Sequence, residues 1–397
     1  MTSGEPASTV AEAIRLAQRL LTDAWSGAAG EDKGSSAPER QTDCEADARD
    51  QIGPVAASWL DAACTSVVES QSDPSFTHVV EAHADAGYVL VTEPHTDTTS
   101  VLTAACDSAE IARTARLEAR WLVAHICGME PGELFLHRDD SISPDMAARL
   151  VGLITRRAGG EPLQYLLGEW AFYGRPFLVG PGVLIPRQDS ETLAETALRL
   201  LEGRASPRVL DLCTGSGCLA VTIACERPDC TVWALEKSPE AADYARQNTA
   251  RNRACVTLLE RDGLDPAAGE GLPPLDLIVC NPPYLTAADM AALQPEVRYE
   301  PALALAAGAD GLDFYRKLTP LWTKQLAPGG ALAYEIGAGQ DAAVAEILRQ
   351  SGYEKVCFVR DLCGIIRVVY ARLPLVGGQA CGGKNSAGNA RAAEAIE

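Results

Sequence analysis

Between Ser8 and Trp25 the apolar residues Val10, Ala13, Ile14, Ala17, Leu20 and Leu21 recur at helical spacing, which predicts an amphipathic helix with Ser8 or Thr9 as its cap. The period returns between Ser108 and Cys127, with Ile111, Ala115, Leu117, Trp121, Leu122 and Ile126 on one face and Gly128 at the C-terminal end. A third helix fits Ser143 to Arg157, stopping before Gly159-Gly160. Three amphipathic helices need one another to bury their apolar faces, so a small helical N-terminal domain over residues 1–160 is expected. Residues 26–105 interrupt it. Residues 26–53 are rich in Gly, Ser, Asp and Glu, which fits a flexible segment, and Val55–Leu60 and Tyr88–Val91 are short apolar pieces within 54–105. The stretch reads as an acidic, partly disordered insertion.

After Arg208 the pattern changes to short apolar runs, Val209–Leu212, Thr231–Leu235, Val256–Leu259, Leu275–Cys280 and Ala331–Ile336. Helical stretches near Leu219–Glu226, Pro239–Asn252, Leu312–Gln325 and Asp341–Gln350 separate them. That alternation predicts an α/β, doubly wound parallel sheet. Val356–Val359 and Ile365–Tyr370 follow closely and predict a terminal hairpin with an antiparallel strand at one edge. A second domain over residues 161–375 and a disordered tail over 376–397, rich in Gly, Ala and Asn, complete the organisation.

Composition narrows the function classes. A chain of 397 residues with 47% hydrophobic content is long enough for two domains with real cores. Net charge is -20, and residues 1–105 hold 17 acids against 5 bases, so the excess acidity is mostly N-terminal. Such a chain has no general attraction for phosphate backbones, which weighs against a direct nucleic-acid substrate. The 13 cysteines are scattered without a Cys-x-x-Cys pair, so no metal cluster or disulfide framework is suggested, and most read as small buried hydrophobes in a reducing compartment. No basic leader with an apolar stretch opens the chain and no apolar run is long enough to span a bilayer, so a cytoplasmic protein without membrane attachment is expected.

The chemistry concentrates where strands end. Asn281-Pro282-Pro283-Tyr284 directly follows the apolar run Leu275–Cys280. Two prolines stiffen this loop and supply no N–H donors. The Asn281 side-chain oxygen and the Pro282 carbonyl are suited to accept both hydrogens of a planar NH2 group, with the Tyr284 ring against its plane. The run Asp211-Leu212-Cys213-Thr214-Gly215-Ser216-Gly217 joins the first strand to its helix, and its glycines allow a ligand to approach the backbone closely. Gly215, Gly217 and Ala220, with Glu236 ending the next strand, also satisfy a dinucleotide fingerprint, which makes a nicotinamide or flavin enzyme the first rival. Asp211 decides between them by sign of charge: it would repel a pyrophosphate and attract the ammonium and sulfonium of S-adenosylmethionine. Glu236 can accept from ribose hydroxyls in either case, and Asp262, beside Gly263 after the third strand, from the adenine amine. Taken together, these groups describe an S-adenosylmethionine-dependent methyltransferase acting on a planar nitrogen.

From Asp107 to Leu373 the sequence resembles the HemK/PrmC family, the peptide chain release factor N5-glutamine methyltransferases. The matching stretches are Ala115–Ala119, Gly160–Gly168, Leu184-Ile185-Pro186-Arg187, the glycine loop, Asn281–Tyr284 and Val297-Arg298-Tyr299-Glu300-Pro301. The resemblance implies a seven-stranded Rossmann-like (class I) methyltransferase domain. It also implies a helical domain that grips a release factor, and methylation of the glutamine of a Gly-Gly-Gln loop. By resemblance Gly215, Gly217, Glu236 and Asn281 contact the cofactor and Asn281–Tyr284 the glutamine, while Phe172 looks like the family's aromatic wall near the methyl group. With the residues read above, the expected cofactor set is Asp211, Cys213, Thr214, Gly215, Ser216, Gly217, Glu236, Asp262, Gly263, Asn281 and Phe172, and the expected catalytic set Asn281, Pro282, Pro283 and Tyr284. A monomer without a metal is expected. Three departures stand out: Cys213 for a glycine, Glu236 for an aspartate, and Gly263 for a larger residue over the adenine. The alternatives are an adenine-N6 nucleic-acid methyltransferase, a glutamine methyltransferase acting on a ribosomal protein, and a catalytically silent scaffold.

Overall fold

The computed structural model describes residues 9–29 and 98–375, with side chains described over 9–27 and 108–375. The expectations for Val55–Leu60, Tyr88–Val91 and the 376–397 tail lie outside the described residues. The chain divides into two compact units, one of residues up to Pro186 together with 288–304, the other of 187–287 and 305 onward.

In the first unit α1 (Val10–Ala29), α2 (Thr98–Cys127) and α3 (Pro144–Ala158) share one core that includes Val10, Ala13, Ala17, Leu21, Ala115, Ala119, Leu122, Leu150 and Ile154. Thr9 caps α1 reciprocally: the Glu12 N–H donates to Thr9 Oγ1 at 3.3 Å and the Thr9 N–H to Glu12 Oε2 at 3.1 Å. Ser143 caps α3 by accepting from the Met146 N–H at 3.2 Å, with Pro144 at the first helical position. The helix expected from Ser108 begins at Thr98, so the end of the expected insertion is helical. Leu117 is exposed and Trp121 partly so; the buried face of α2 instead runs through Ala115, Ala119, Leu122 and Val123, because small residues let neighbouring helices approach.

The expected domain boundary at 160/161 falls inside this unit. The short helix α4 (Leu163–Leu167) contributes Leu163, Leu166 and Leu167 to the same core, and the hairpin of β1 (Glu169–Phe172) and β2 (Arg175–Leu178) packs Trp170 against it. Tyr173 and Gly174 turn the hairpin with φ of 50° and 69°, the positive values a tight two-residue turn requires.

Buried charge ties the unit together. Arg157, fully buried, donates from Nε to Glu118 Oε2 at 2.6 Å, from Nη1 to the Glu161 carbonyl at 3.2 Å and to Glu296 Oε1 at 3.4 Å, and its guanidinium lies 5.2 Å from the Trp25 ring centroid. The Ile185 N–H donates to Glu300 Oε2 at 3.0 Å and the Tyr299 hydroxyl to the Gly159 carbonyl at 3.2 Å. Stretches far apart in sequence, around Glu118, Glu161, Ile185 and Glu300, are therefore joined by hydrogen bonds that run directly or through Arg157.

The second unit is a seven-stranded sheet flanked by helices. It contains α5 (Glu191–Leu200), β3 (Arg208–Leu212), α6 (Cys218–Glu226), β4 (Thr231–Glu236), α7 (Pro239–Arg251), β5 (Val256–Glu260) and β6 (Leu275–Cys280). Past a short α8 (Ala287–Ala291), of which 288–291 belong to the first unit, it continues with α9 (Asp313–Thr323), β7 (Leu326–Glu335), α10 (Asp341–Gln350), β8 (Glu354–Arg360) and β9 (Ile366–Arg372). Spatial order is β5-β4-β3-β6-β7-β9-β8, with β9 antiparallel to both β7 and β8, which is the expected terminal hairpin at the sheet edge. Helix α5, which the apolar pattern did not single out, buries Leu193, Ala194, Ala197 and Leu200. Of the free cysteines among the described residues, Cys230 and Cys280 are buried, Cys255 is exposed and the rest are half-buried, so most are not the core residues expected. No helix among the described residues is long and apolar enough to cross a membrane.

Candidate active site

Strand β3 lies between β4 and β6, and the chain fills the sheet from β3 outward through β4 to β5 before returning to β6 on the other side. A crevice opens outside the carboxyl ends of two strands where the winding reverses in this way. The glycine loop leaves the end of β3 and Asn281–Tyr284 leaves the end of β6, so both expected motifs meet at that point.

The glycine loop alternates left-handed residues: Cys213, Gly215 and Gly217 have φ of 63°, 55° and 81°. Gly217 must be glycine for space as well, since a Cβ there would lie 3.3 Å from Ala245 of α7. Cys213 takes the same backbone region with a side chain, which costs about 1 kcal/mol or more. The substitution therefore introduces local strain into the loop. Thr214 and Ser216 are buried, the Ser216 carbonyl accepting from Asn248 Nδ2 at 2.9 Å. Glu236, ending β4, accepts from the Gly215 N–H on Oε2 at 2.8 Å and from the Lys237 and Ser238 N–H groups on Oε1, both at 2.9 Å. It thereby holds the loop, and most of its lone pairs are already engaged by backbone.

Asp211 is fully buried. Its Oδ2 accepts from the Thr214 hydroxyl at 2.5 Å and from the Ala220 N–H at 3.0 Å, so it caps α6, while Oδ1 has no hydrogen-bond partner among the described residues. Burial pushes its carboxyl up to about 7; the two hydrogen bonds oppose this and the charge of Glu236 adds to it.

Asp262 accepts from the Leu264 N–H at 2.9 Å and pairs with Lys237 Nζ at 2.8 Å. Gly263 is buried: its carbonyl accepts from Trp322 Nε1 at 2.9 Å and a Cβ there would meet Leu212 Cδ1 at 3.1 Å. A side chain at this position would point into the sheet core, against Leu212, Leu235 and Leu318.

In the loop after β6, Pro282 and Pro283 are buried and Asn281 and Tyr284 are half-buried. The Tyr284 carbonyl accepts from Gln340 Nε2 at 3.0 Å, and a Cβ on Gly311, whose φ is 74°, would collide with that carbonyl oxygen. The loop is thus pinned from two sides. Asn281 Nδ2 donates to Ser190 Oγ at 3.3 Å, and no described residue donates to its Oδ1.

Glu335, which the apolar pattern of the fifth run concealed, ends β7 beside this loop. Burial pushes its carboxyl up to about 7; hydrogen bonds from Ser190 and Asn281 and the charge of Arg367 oppose the rise, and Asp189 adds to it. Its Oε2 is buried without a partner among the described residues. The signal available in the sequence was an acid closing a buried strand, as Asp211 and Glu236 do. Phe172 belongs to the first unit, where it is buried in an edge-to-face contact with Phe177 at 6.1 Å.

Residues 100–168 match the family model of the PrmC N-terminal domain, and residues 189–296 that of the methyltransferase small domain. A release factor glutamine methyltransferase of Geobacter sulfurreducens is 44% identical over 260 residues, which cover 65% of this chain and 90% of that protein. One of Burkholderia pseudomallei is 42% identical over 279 residues, covering 67% of this chain and 96% of that protein. The similarity spans both the helical region and the sheet.

Proposed function

The chain belongs to the release factor glutamine methyltransferase family, and on that premise we propose that it transfers a methyl group from S-adenosylmethionine to the side-chain amide nitrogen of the glutamine in the Gly-Gly-Gln loop of a peptide chain release factor. The observation that carries the reading is the juxtaposition at one sheet edge of a buried acid with an unpaired oxygen, Asp211, and an asparagine whose amide nitrogen is held by the protein, Asn281.

A buried carboxylate oxygen without a partner is costly, and a cationic ligand removes that cost whereas a pyrophosphate adds to it. The donor set at the glycine loop therefore fits S-adenosylmethionine better than a dinucleotide. The cofactor supplies a methyl group already activated on a sulfonium, so neither a metal nor a covalent intermediate is required of the protein. What remains for the residues is orientation. Asn281 Oδ1 and the Pro282 carbonyl accept the two amide hydrogens of the glutamine, which turns the nitrogen lone pair toward the methyl carbon and stabilises the positive charge that develops on nitrogen. The nitrogen forms the new bond to carbon, the carbon–sulfur bond breaks with its electron pair on sulfur, and one amide proton leaves to water. Pro282 and Pro283 keep the loop stiff and supply no competing donors, and Tyr284 closes one side of the amide plane. In this reading Asp262 shares its carboxylate between Lys237 and the adenine amine.

The test is incubation of the purified chain with S-adenosylmethionine and a purified release factor, followed by peptide mass analysis. The expected result is one added methyl group on the Gly-Gly-Gln glutamine. Methylated nucleic acid alongside an unmodified glutamine overturns the reading, and methylation of a ribosomal-protein glutamine alone replaces the partner.

A further inference from the structure

We propose that Glu335, acting with Ser190, is the positioning residue that fixes which end of the Asn281 side-chain amide faces the acceptor. The inference rests on the reading of Asn281 given above and names what holds it in place.

Register provides the first support. Strands β6 and β7 are parallel with Cys280 opposite Tyr334, so the next residues along, Asn281 and Glu335, lie side by side at the carboxyl edge of the sheet. Ser190 reaches the same place from the turn preceding α5, accepting from Asn281 Nδ2 at 3.3 Å. The Glu335 carboxyl feels both side chains, Ser190 and Asn281 each holding it down against the rise that burial causes.

The chemistry of a carboxylate supplies the second support. An amide side chain is nearly symmetrical in shape, and a hydroxyl neighbour accepts or donates and so tolerates either orientation. Above about pH 7, where the Glu335 carboxyl is ionised, it accepts only. Beside Asn281 it attracts Nδ2 and repels Oδ1, which selects the orientation in which Oδ1 is presented for a substrate N–H. A protonated or amide side chain at this place would present a donor to Oδ1 and compete with the substrate.

The arrangement also explains a buried acid that folding alone disfavours. Glu335 keeps Oε2 without a partner among the described residues, and Arg367, whose charge acts on it, is shared: it pairs with Asp189 at 3.1 Å and with Asp361 at 2.9 Å.

Glu335→Gln is nearly isosteric and removes a buried charge, so it is expected to fold with an unchanged or higher melting temperature. Its kcat is expected to fall on the order of 10- to 100-fold with little change in S-adenosylmethionine affinity, and Glu335→Asp to recover part of the loss. A structural role alone would not split kcat from binding in this way. The acceptor-independent readout is the Asn281 side-chain NH2 signal in the NMR spectrum of the full chain, assigned by its loss in Asn281→Ala. We expect a deshielded, slowly exchanging proton that Glu335→Gln abolishes. If the NMR change occurs while the native chain methylates no glutamine, the substrate reading fails and the positioning inference stands. If the native chain methylates glutamine and Glu335→Gln leaves both kcat and the Asn281 signal as in the native chain, the positioning inference alone is overturned.

Discussion

The two units bury charge in opposite ways. In the first, Arg157 sits between Glu118 and Glu296 with its guanidinium on Trp25, so the acids meet a cation inside the protein. In the second, Asp211 and Glu335 are as deeply buried, yet each keeps one carboxylate oxygen without a partner among the described residues. A satisfied buried charge organises a fold, and removing one partner is what makes it costly. An unsatisfied one is costly as it stands, and it persists where a ligand or a reacting group completes it.

The sharpest way to break this contrast is to make the first unit resemble the second. Arg157→Leu strands Glu118 and Glu296 in the core and is expected to destabilise the protein by about 3–5 kcal/mol, read from denaturant midpoints. A comparable effect of opposite origin comes from pH. The carboxyls of Asp211 and Glu335 are raised to about 7 in the folded chain, above the ordinary unfolded values near 4, so the folded state binds the extra protons. Their contribution is then fully present below about pH 4 and lost as pH rises through about 7. The cofactor-free chain is therefore expected to lose a few kcal/mol from these two groups between about pH 5 and about pH 8, and saturating S-adenosylmethionine to reduce that loss, in thermal melts across the range. Asp211→Asn should raise the melting temperature of the cofactor-free chain by removing the buried charge while weakening S-adenosylmethionine binding by roughly tenfold, measured by calorimetry. The smallest effect belongs to Cys213→Gly, which relieves the left-handed strain at φ 63° and is expected to stabilise by about 1 kcal/mol in the same melts.

Much of the second unit was legible because its central strands are short apolar runs bounded by helices, and because Asp211, Glu236 and Asn281 stand at the ends of those runs. What escaped reading had weaker local signals. The strands β1 and β2 hold only four residues each and alternate irregularly between buried and exposed, and β2 carries Pro176, so nothing in their period announced a hairpin. The boundary expected at 160/161 missed because α4 and that hairpin complete the helical core, a long-range preference that no window of sequence contains. Leu117 has the right spacing for the core face of α2, but the contact is made by Ala115 and Ala119, and periodicity alone does not distinguish a close helix pair from a wide one. Glu335 was hidden for the opposite reason: within Ala331–Ile336 one acid looks like a defect in a strand until the register sets it beside Asn281.

The claim that Asn281 orients the acceptor amide is tested most directly by single-turnover methylation of a release factor by Asn281→Ala. S-adenosylmethionine affinity is expected to stay close to that of the native chain, with transfer to the Gly-Gly-Gln glutamine slowed by about 1000-fold or more. Transfer by Asn281→Ala at the native rate would contradict it.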